Sequence, residues 1–239
     1  MLKRGSGVAL WRQIAQEIET RIREGEFAPG QQLPTEMELT RRFDVNRHTV
    51  RRALAALTED GIVRAEQGRG TFVQEDVVDY RIGRRTRFRE TLRGQAKDPG
   101  GRLLAASVVP AEAPVALALE ITPGEAIVRL DTLRLADGVP LIVGSHYFPE
   151  ARFAGIEAGY RDTGSITEAL KICGIEDYFR RTTRVTARLP DSGEMRLLAL
   201  PRSRPVLVAE SVNVDADGRP VEFGVARFAA DRVHLVFEP

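Results

Sequence analysis

Apolar residues recur with helical spacing along the first quarter of the chain. Leu10, Ile14, Ile18 and Ile22 stand four apart, which lays one apolar stripe along a helix over residues 8–24. Glu17–Arg21 and Glu19–Arg23 fall on its wet face. Gly25 ends it, and Pro29-Gly30 makes a turn. A second helix starts at Thr35, where Thr35-Glu36-Met37-Glu38 has capping-box spacing behind Pro34, and runs through Leu39 to Phe43. After a short turn Asn46 caps a third helix, whose buried face is Val50, Ala53, Leu54 and Leu57 and which Gly61 stops. Then the period drops to two. Ile62 to Glu66, the turn Gln67-Gly68-Arg69-Gly70 and Thr71-Phe72-Val73 read as a β-hairpin with Arg69 at its tip.

Residues 74–101 are polar and basic, with Arg81, Arg84, Arg85, Arg87, Arg89 and Arg93. They read as a linker over 74–84 followed by an ordered loop around Arg87-Phe88-Arg89. Beyond them the pattern repeats. Ala116 to Leu119, Pro123, an apolar strand from Ile127 to Leu135, the turn Ala136-Asp137-Gly138-Val139-Pro140 and another strand form one unit. Met195 to Leu198, Pro201, a strand from Val206 to Val214, the turn Ala216-Asp217-Gly218-Arg219-Pro220 and another strand form the second. The two Asp-Gly steps lie 80 residues apart. Asp-Gly supplies a hairpin turn, so each unit is a short helix and a hairpin. Ser165 to Cys173 reads as a helix and Tyr178 to Leu189 as a strand between them. The fold class is therefore a two-domain chain: a winged helix-turn-helix over 1–73 and an α+β domain around an antiparallel sheet over 85–239.

Composition narrows the chemistry. The 239 residues are 43% hydrophobic and 29% charged with a formal net charge of +1, so a folded chain without a general basic bias is expected. Any nucleic-acid footprint must be local. One such patch exists: between residues 41 and 52 there are five arginines and one Asp. Arg47 and Arg51 share a helix face, and arginine suits guanine edges and phosphates. The expected DNA-contacting set is Thr35, Asn46, Arg47, His48, Thr49, Arg51 and Arg52, with Gly68 and Arg69 at the hairpin tip. A single cysteine, Cys173, allows no internal disulfide and no Cys/His zinc cluster. No cofactor, metal or catalytic residue is expected. The absence of an apolar leader or of a run of 18 apolar residues leads to the expectation of a cytoplasmic protein with no membrane partner.

The segment Leu33-Pro34-Thr35-Glu36, Val45 to Arg51 and Gln67-Gly68-Arg69-Gly70-Thr71-Phe72-Val73 resembles the winged-helix domain of the GntR family of bacterial regulators. The resemblance implies that Arg47, Thr49 and Arg51 meet the major groove and that Gly68 and Arg69 enter the minor groove. Met37 stands where family members often carry Arg. The paired Ala-Asp-Gly-x-Pro turns resemble the effector domain of the HutC subgroup (the UTRA domain), which implies a chorismate-lyase-like fold. Tyr80 to Gly83 and Arg85 to Phe88 look most like the regulators of phosphonate utilisation. Carried over position by position, the resemblance places a small anionic effector against Arg87, Phe88, Arg89, Thr132, Arg134, Ser165, Thr167, Glu222 and Phe228. Thr132, Gly144, Thr167 and Phe228 depart from the sugar-sensing members. Ser165-Ile166-Thr167-Glu168 has capping-box spacing, which puts Ser165 at a helix start.

One recognition helix covers a short half-site, so a homodimer on a near-palindromic operator is expected, with half-sites about 34–36 Å apart. Ligand-relieved repression is the expected mechanism. Two rivals stand beside this reading. A lyase-like enzyme would exploit the fold, but fold does not carry chemistry. His48, His146 and His234 have no Ser or Cys partner in a recognisable motif, and Cys173 sits where burial is expected. A nonspecific nucleic-acid module would lean on many phosphate contacts, which the near-neutral charge disfavours.

Overall fold

The computed structural model describes residues 9–66, 68–74 and 77–237. Gln67, in the expected hairpin turn, lies outside them. The chain divides into two compact units, residues 1–76 and 77–239.

The first unit contains α1 (Leu10–Arg23), α2 (Glu36–Phe43), α3 (Arg47–Glu59) and the strands β1 (Val63–Glu66) and β2 (Gly70–Val73). Ile14 and Ile18 of the predicted stripe are buried against Leu39, Val50, Ala53, Leu54 and Leu57. Each isoleucine, leucine or valine among them contributes roughly 1.5–3 kcal/mol of burial. The capping box at Thr35 forms in full, with Glu38 as its reciprocal partner. Asp44 leaves α2 in the left-handed region (φ 49°). Asn46 then caps α3 by accepting from the Thr49 N–H at 2.9 Å. Three residues thus join α2 and α3. β1 and β2 pair antiparallel, from Val63 opposite Val73 to Glu66 opposite Gly70. Gly68 at the tip has φ +73°, a conformation L side chains rarely adopt. Gln32 ties the hairpin down, its Nε2 donating to the Arg69 carbonyl at 2.7 Å.

The second unit opens with β3 (Val78–Ile82) and α4 (Phe88–Arg93). Here two expectations fail. Residues 78–82, read as linker, are a strand that pairs in parallel with β10 (Val233–Phe237). Its alternation buries Val78, Tyr80 and Ile82 and leaves Asp79 and Arg81 wet, a two-residue period hidden among the basic residues. Arg87-Phe88-Arg89, read as a loop, begins α4, with Phe88 and Leu92 as the buried anchors.

The remaining strands form one antiparallel sheet in the order β4-β5-β6-β9-β8-β7. They are β4 (Pro99–Pro110), β5 (Ala126–Ala136), β6 (Val139–Pro149), β7 (Phe179–Arg188), β8 (Val206–Val214) and β9 (Pro220–Ala229). Pro99-Gly100-Gly101, at the end of the polar stretch 74–101, start β4. The order reads the same from both edges, because each repeat supplies one half. An edge strand, a helix and a hairpin run as β4, α5 (Ala113–Leu119), β5 and β6, then as β7, α9 (Ser192–Leu197), β8 and β9. The duplication thus includes a strand beyond the helix and hairpin read from sequence. Asp137 and Gly138 both lie in the left-handed region (φ 49° and 79°), the geometry of a two-residue hairpin turn.

Helices α5 and α9 pack on one face of the sheet. The other face carries α6 (Glu150–Phe153), α7 (Ile156–Thr163) and α8 (Ile166–Ile172) around Phe148, Phe153 and Leu170 at one end. At the other end it carries β3 and α4 around Tyr80, Phe88 and Phe228. Between these two clusters the central strands present small residues: Gly144 on β6, Gly224 and Ala226 on β9, Ala209 and Ser211 on β8. Missing side-chain volume there leaves a cavity of about 300 Å³. Among the described residues, no helix is long and apolar enough to cross a membrane, and no cluster of His, Cys, Asp or Glu could hold a metal ion.

Candidate functional site

In the first unit α3 turns one face inward and leaves Arg47, His48 and Arg51 exposed. Arg47 and Arg51, one turn apart, both donate through Nε to Glu36 of α2, at 2.6 and 3.0 Å. The Arg47 hydrogen bond holds the Glu36 carboxyl below the usual carboxylate range, with Arg51 reinforcing it against slight burial. The other expected contact residues are engaged locally. Thr35 and Asn46 serve as caps, and the Thr49 hydroxyl donates to Asn46 Oδ1 at 2.9 Å. Arg52 points elsewhere, its guanidinium 4.7 Å from the centroid of the Trp11 ring on α1. At the hairpin tip Arg69 pairs with Glu66 at 2.5 Å and lies 5.6 Å from the Phe72 ring centroid. Met37, where an arginine was the family expectation, is 62% exposed on α2.

In the second unit the cavity collects Arg87, Phe88, Arg89, Arg134, Ser165, Thr167, Glu222 and Phe228 from the expected effector set. Thr132 is the exception. It is fully buried behind the cavity, and its Oγ1 is 3.2 Å from His146 Nε2. It faces Gly144 across the strand pair, so His146 stands in front of it.

The arginines differ in what they are free to do. Arg87 is buried, donates to Asp177 at 3.1 Å and to the Tyr178 carbonyl at 2.8 Å, and stacks 3.5 Å from the Tyr178 ring centroid. Arg89 donates to the Thr163 and Gly164 carbonyls at the end of α7. Arg134 lies 5.0 Å from the Phe88 ring centroid and has no hydrogen bond or ion pair among the described residues. Five arginines against three glutamates line the space. Ser165 caps α8 by accepting from the Glu168 N–H at 3.4 Å, while the Glu168 carboxylate turns to Lys171. The expected box is therefore half formed.

The cavity also holds groups that motif reading passed over. His146 Nδ1 lies 2.5 Å from Glu222 Oε1, and Asn213 Nδ2 donates to Glu222 Oε2 at 2.6 Å. Glu222 sits on a central strand, not at a sheet edge. Burial pushes its carboxyl up, but His146 and Asn213 prevail and hold it below the ordinary glutamate range. Tyr178 is raised by burial first and by the charge of Glu222 second; its hydroxyl meets Thr167 Oγ1 at 3.0 Å. A signal was present in the sequence. Gly144 and His146, Ser211 and Asn213, Glu222 and Gly224 are small or polar residues at alternating positions in largely apolar strands, which marks a face that packs against something other than core.

A helix-turn-helix with an arginine-bearing second helix and a glycine-tipped hairpin, joined in one chain to a hollowed antiparallel sheet, defines a transcriptional regulator of the winged-helix class. Residues 10–73 match the family described as bacterial regulatory proteins, gntR family, and residues 94–234 match the UTRA domain. The chain belongs to the GntR family and carries its UTRA effector domain. It is 45% identical over 239 residues to the HTH-type transcriptional regulator RB1450 of Rhizobium meliloti (strain 1021), covering 100% of this chain and 98% of that one. It is 34% identical over 229 residues to the probable transcriptional regulator PhnF of Escherichia coli (strain K12), covering 95% and 94%. The crystal structure of PhnF from Mycobacterium smegmatis matches with a TM-score of 0.65 at 24% identity, over 95% of this chain and 98% of that chain. A crystal structure of a PhnF C-terminal domain matches with a TM-score of 0.51 at 30% identity, over 61% of this chain and 91% of that chain. The protein is a DNA-binding regulator of GntR and UTRA type.

Cys173 is half-buried, and burial pushes its thiol up, which disfavours the thiolate a nucleophile needs.

Proposed function

We propose that this chain is a ligand-relieved cytoplasmic repressor that binds a near-palindromic operator as a homodimer through its C-terminal unit. In this reading α3 enters the major groove, with Arg47 and Arg51 as the base-reading pair. Gly68 and Arg69 follow the minor groove. Thr35 caps α2, Asn46 caps α3 and accepts from the Thr49 hydroxyl, His48 is exposed beside them, and Arg52 is braced on Trp11. The exposed arginine pair on α3 carries this part.

The cavity takes a small anion of phosphate or phosphonate type. Arg134, which has no carboxylate partner among the described residues, is the observation that supports it, since a guanidinium without an ion pair at a cavity wall matches a tetrahedral oxyanion. Phe88, Tyr80 and Phe228 offer an apolar flank for a short organic substituent. One relative is named as PhnF and another, at 32% identity, as the mannosyl-D-glycerate transport/metabolism system repressor MngR of Escherichia coli (strain K12). The phosphonate choice rests on Arg134 and on the resemblance to regulators of phosphonate utilisation. No enzymatic role is assigned, since the relatives are regulators.

Two measurements test this. Full-length protein, incubated with a random duplex pool, should enrich a sequence with two related half-sites; enrichment of none overturns the operator reading. Calorimetric titration with inorganic phosphate and methylphosphonate should release heat that Arg134→Ala abolishes. No heat with either overturns the anion reading.

A further inference from the structure

The carboxylate of Glu36 stands in an unexpected place, between two arginines that the reading above sends into a DNA groove. Any duplex repels it, because phosphates dominate the field there. It is not needed for the helix cap, because Glu38 completes the box with Thr35. What Glu36 does touch is Arg47 Nε, which donates to Oε2 at 2.6 Å, and Arg51 Nε, which donates to Oε1 at 3.0 Å and to Oε2 at 3.1 Å. As the first residue of α2, it also sits where the helix dipole favours negative charge. Both arginines remain more than half exposed, at 67% and 56%, while Glu36 is at 31%. Two guanidiniums one helical turn apart repel each other, and the shared carboxylate offsets that.

The geometry has a chemical consequence. A guanidinium can present a side edge, Nε with one Nη, or its end, Nη1 with Nη2. Glu36 occupies Nε of both arginines, so the end edges are left, and these match the O6 and N7 acceptors of guanine. We propose that Glu36 is a positioning residue for base reading: it grips Arg47 and Arg51 by Nε, presents their Nη ends to the duplex, and lowers affinity for DNA of the wrong sequence. This rests on the reading that α3 enters the groove.

The test uses the full chain and the duplex that wild type enriches from a random pool, with a scrambled duplex as reference. Glu36→Gln should weaken binding to the enriched duplex and tighten binding to the scrambled one, reducing their affinity ratio about tenfold. Glu36→Asp keeps the charge but is one methylene short; it should reduce the ratio without tightening on scrambled DNA. If Glu36→Gln tightens both duplexes equally and leaves the ratio unchanged, Glu36 is a bystander charge and the proposal is wrong. A wild-type chain that enriches no sequence overturns the α3 reading itself, a different failure. Unchanged thermal melting of both variants confirms that the ratio, not folding, has moved.

Discussion

Charge is deployed oppositely in the two units. On α3 the arginines are solvated, share a carboxylate and keep their outer edges open, as suits a partner that brings its own dense negative charge. In the cavity Arg87 and Glu222 are buried, Arg89 and Arg134 half-buried, and several of these charges are already engaged: Arg87 with Asp177 and a carbonyl, Arg89 with the end of α7, Glu222 with His146 and Asn213. Arg134 rests on the Phe88 ring and has no ion pair among the described residues. The exposed set is built to be tuned by single residues at little cost in stability. The buried set is tied to the fold, because an ion taken from water needs its hydrogen bonds.

The largest effect expected from this contrast is at Glu222. Glu222→Ala leaves the buried Asn213 and the half-buried His146 without their acceptor, and the second unit should lose about 3–5 kcal/mol, measured by denaturant unfolding of the full chain. A loss under 1 kcal/mol would mean that the cluster is not an energetic part of the sheet. The same pair sets a pH dependence. The folded-state carboxyl of Glu222 is held below its ordinary value of about 4.3. Its contribution is therefore present above that value and lost as pH falls through the lower folded one. Melting followed from neutral pH downward should show a steeper acid loss in wild type than in Glu222→Gln.

Next comes Gly144. A Cβ there would stand 2.7 Å from His146 Nε2 and 2.9 Å from Thr132 Oγ1. Gly144→Val should cost roughly 1–3 kcal/mol by overpacking and abolish the heat of phosphate or methylphosphonate titration. Unchanged titration would place the anion elsewhere. On the exposed side, Arg47→Ala should lose roughly 1–3 kcal/mol of DNA binding and relax one base position, with no shift in melting temperature. Normal binding by this variant would mean that α3 is not the reading helix. The smallest expected change is Thr35→Ala, about 1 kcal/mol of stability from the lost cap, read as a lower melting temperature of the first unit.

How legible each unit was follows from the range of its interactions. In the first, apolar spacing, the Thr35 box and the Asn46 cap act within four residues, so α2, α3 and the hairpin stand where the spacing put them. The departures were Arg52, drawn aside by Trp11, and Glu36, whose partners lie 11 and 15 residues away. In the second unit the Asp-Gly turns were local and legible. The strand β3 was not, because its partner β10 is about 150 residues downstream and five residues of alternation in a basic stretch are a weak signal. α4 was missed for the same reason, since Phe88 and Leu92 become an apolar face only when β3 and Phe228 lie beneath them.

The amino-acid order alone therefore determined the helix-turn-helix, the arginine pair and the twofold repeat, because each depends on neighbours in sequence. The packing of the sheet decided which residues surround the cavity. It set Thr132 behind His146, turned Glu222 inward and left Arg134 without an ion pair among the described residues, because contacts across strands depend on register, and register is fixed only when the whole sheet has formed.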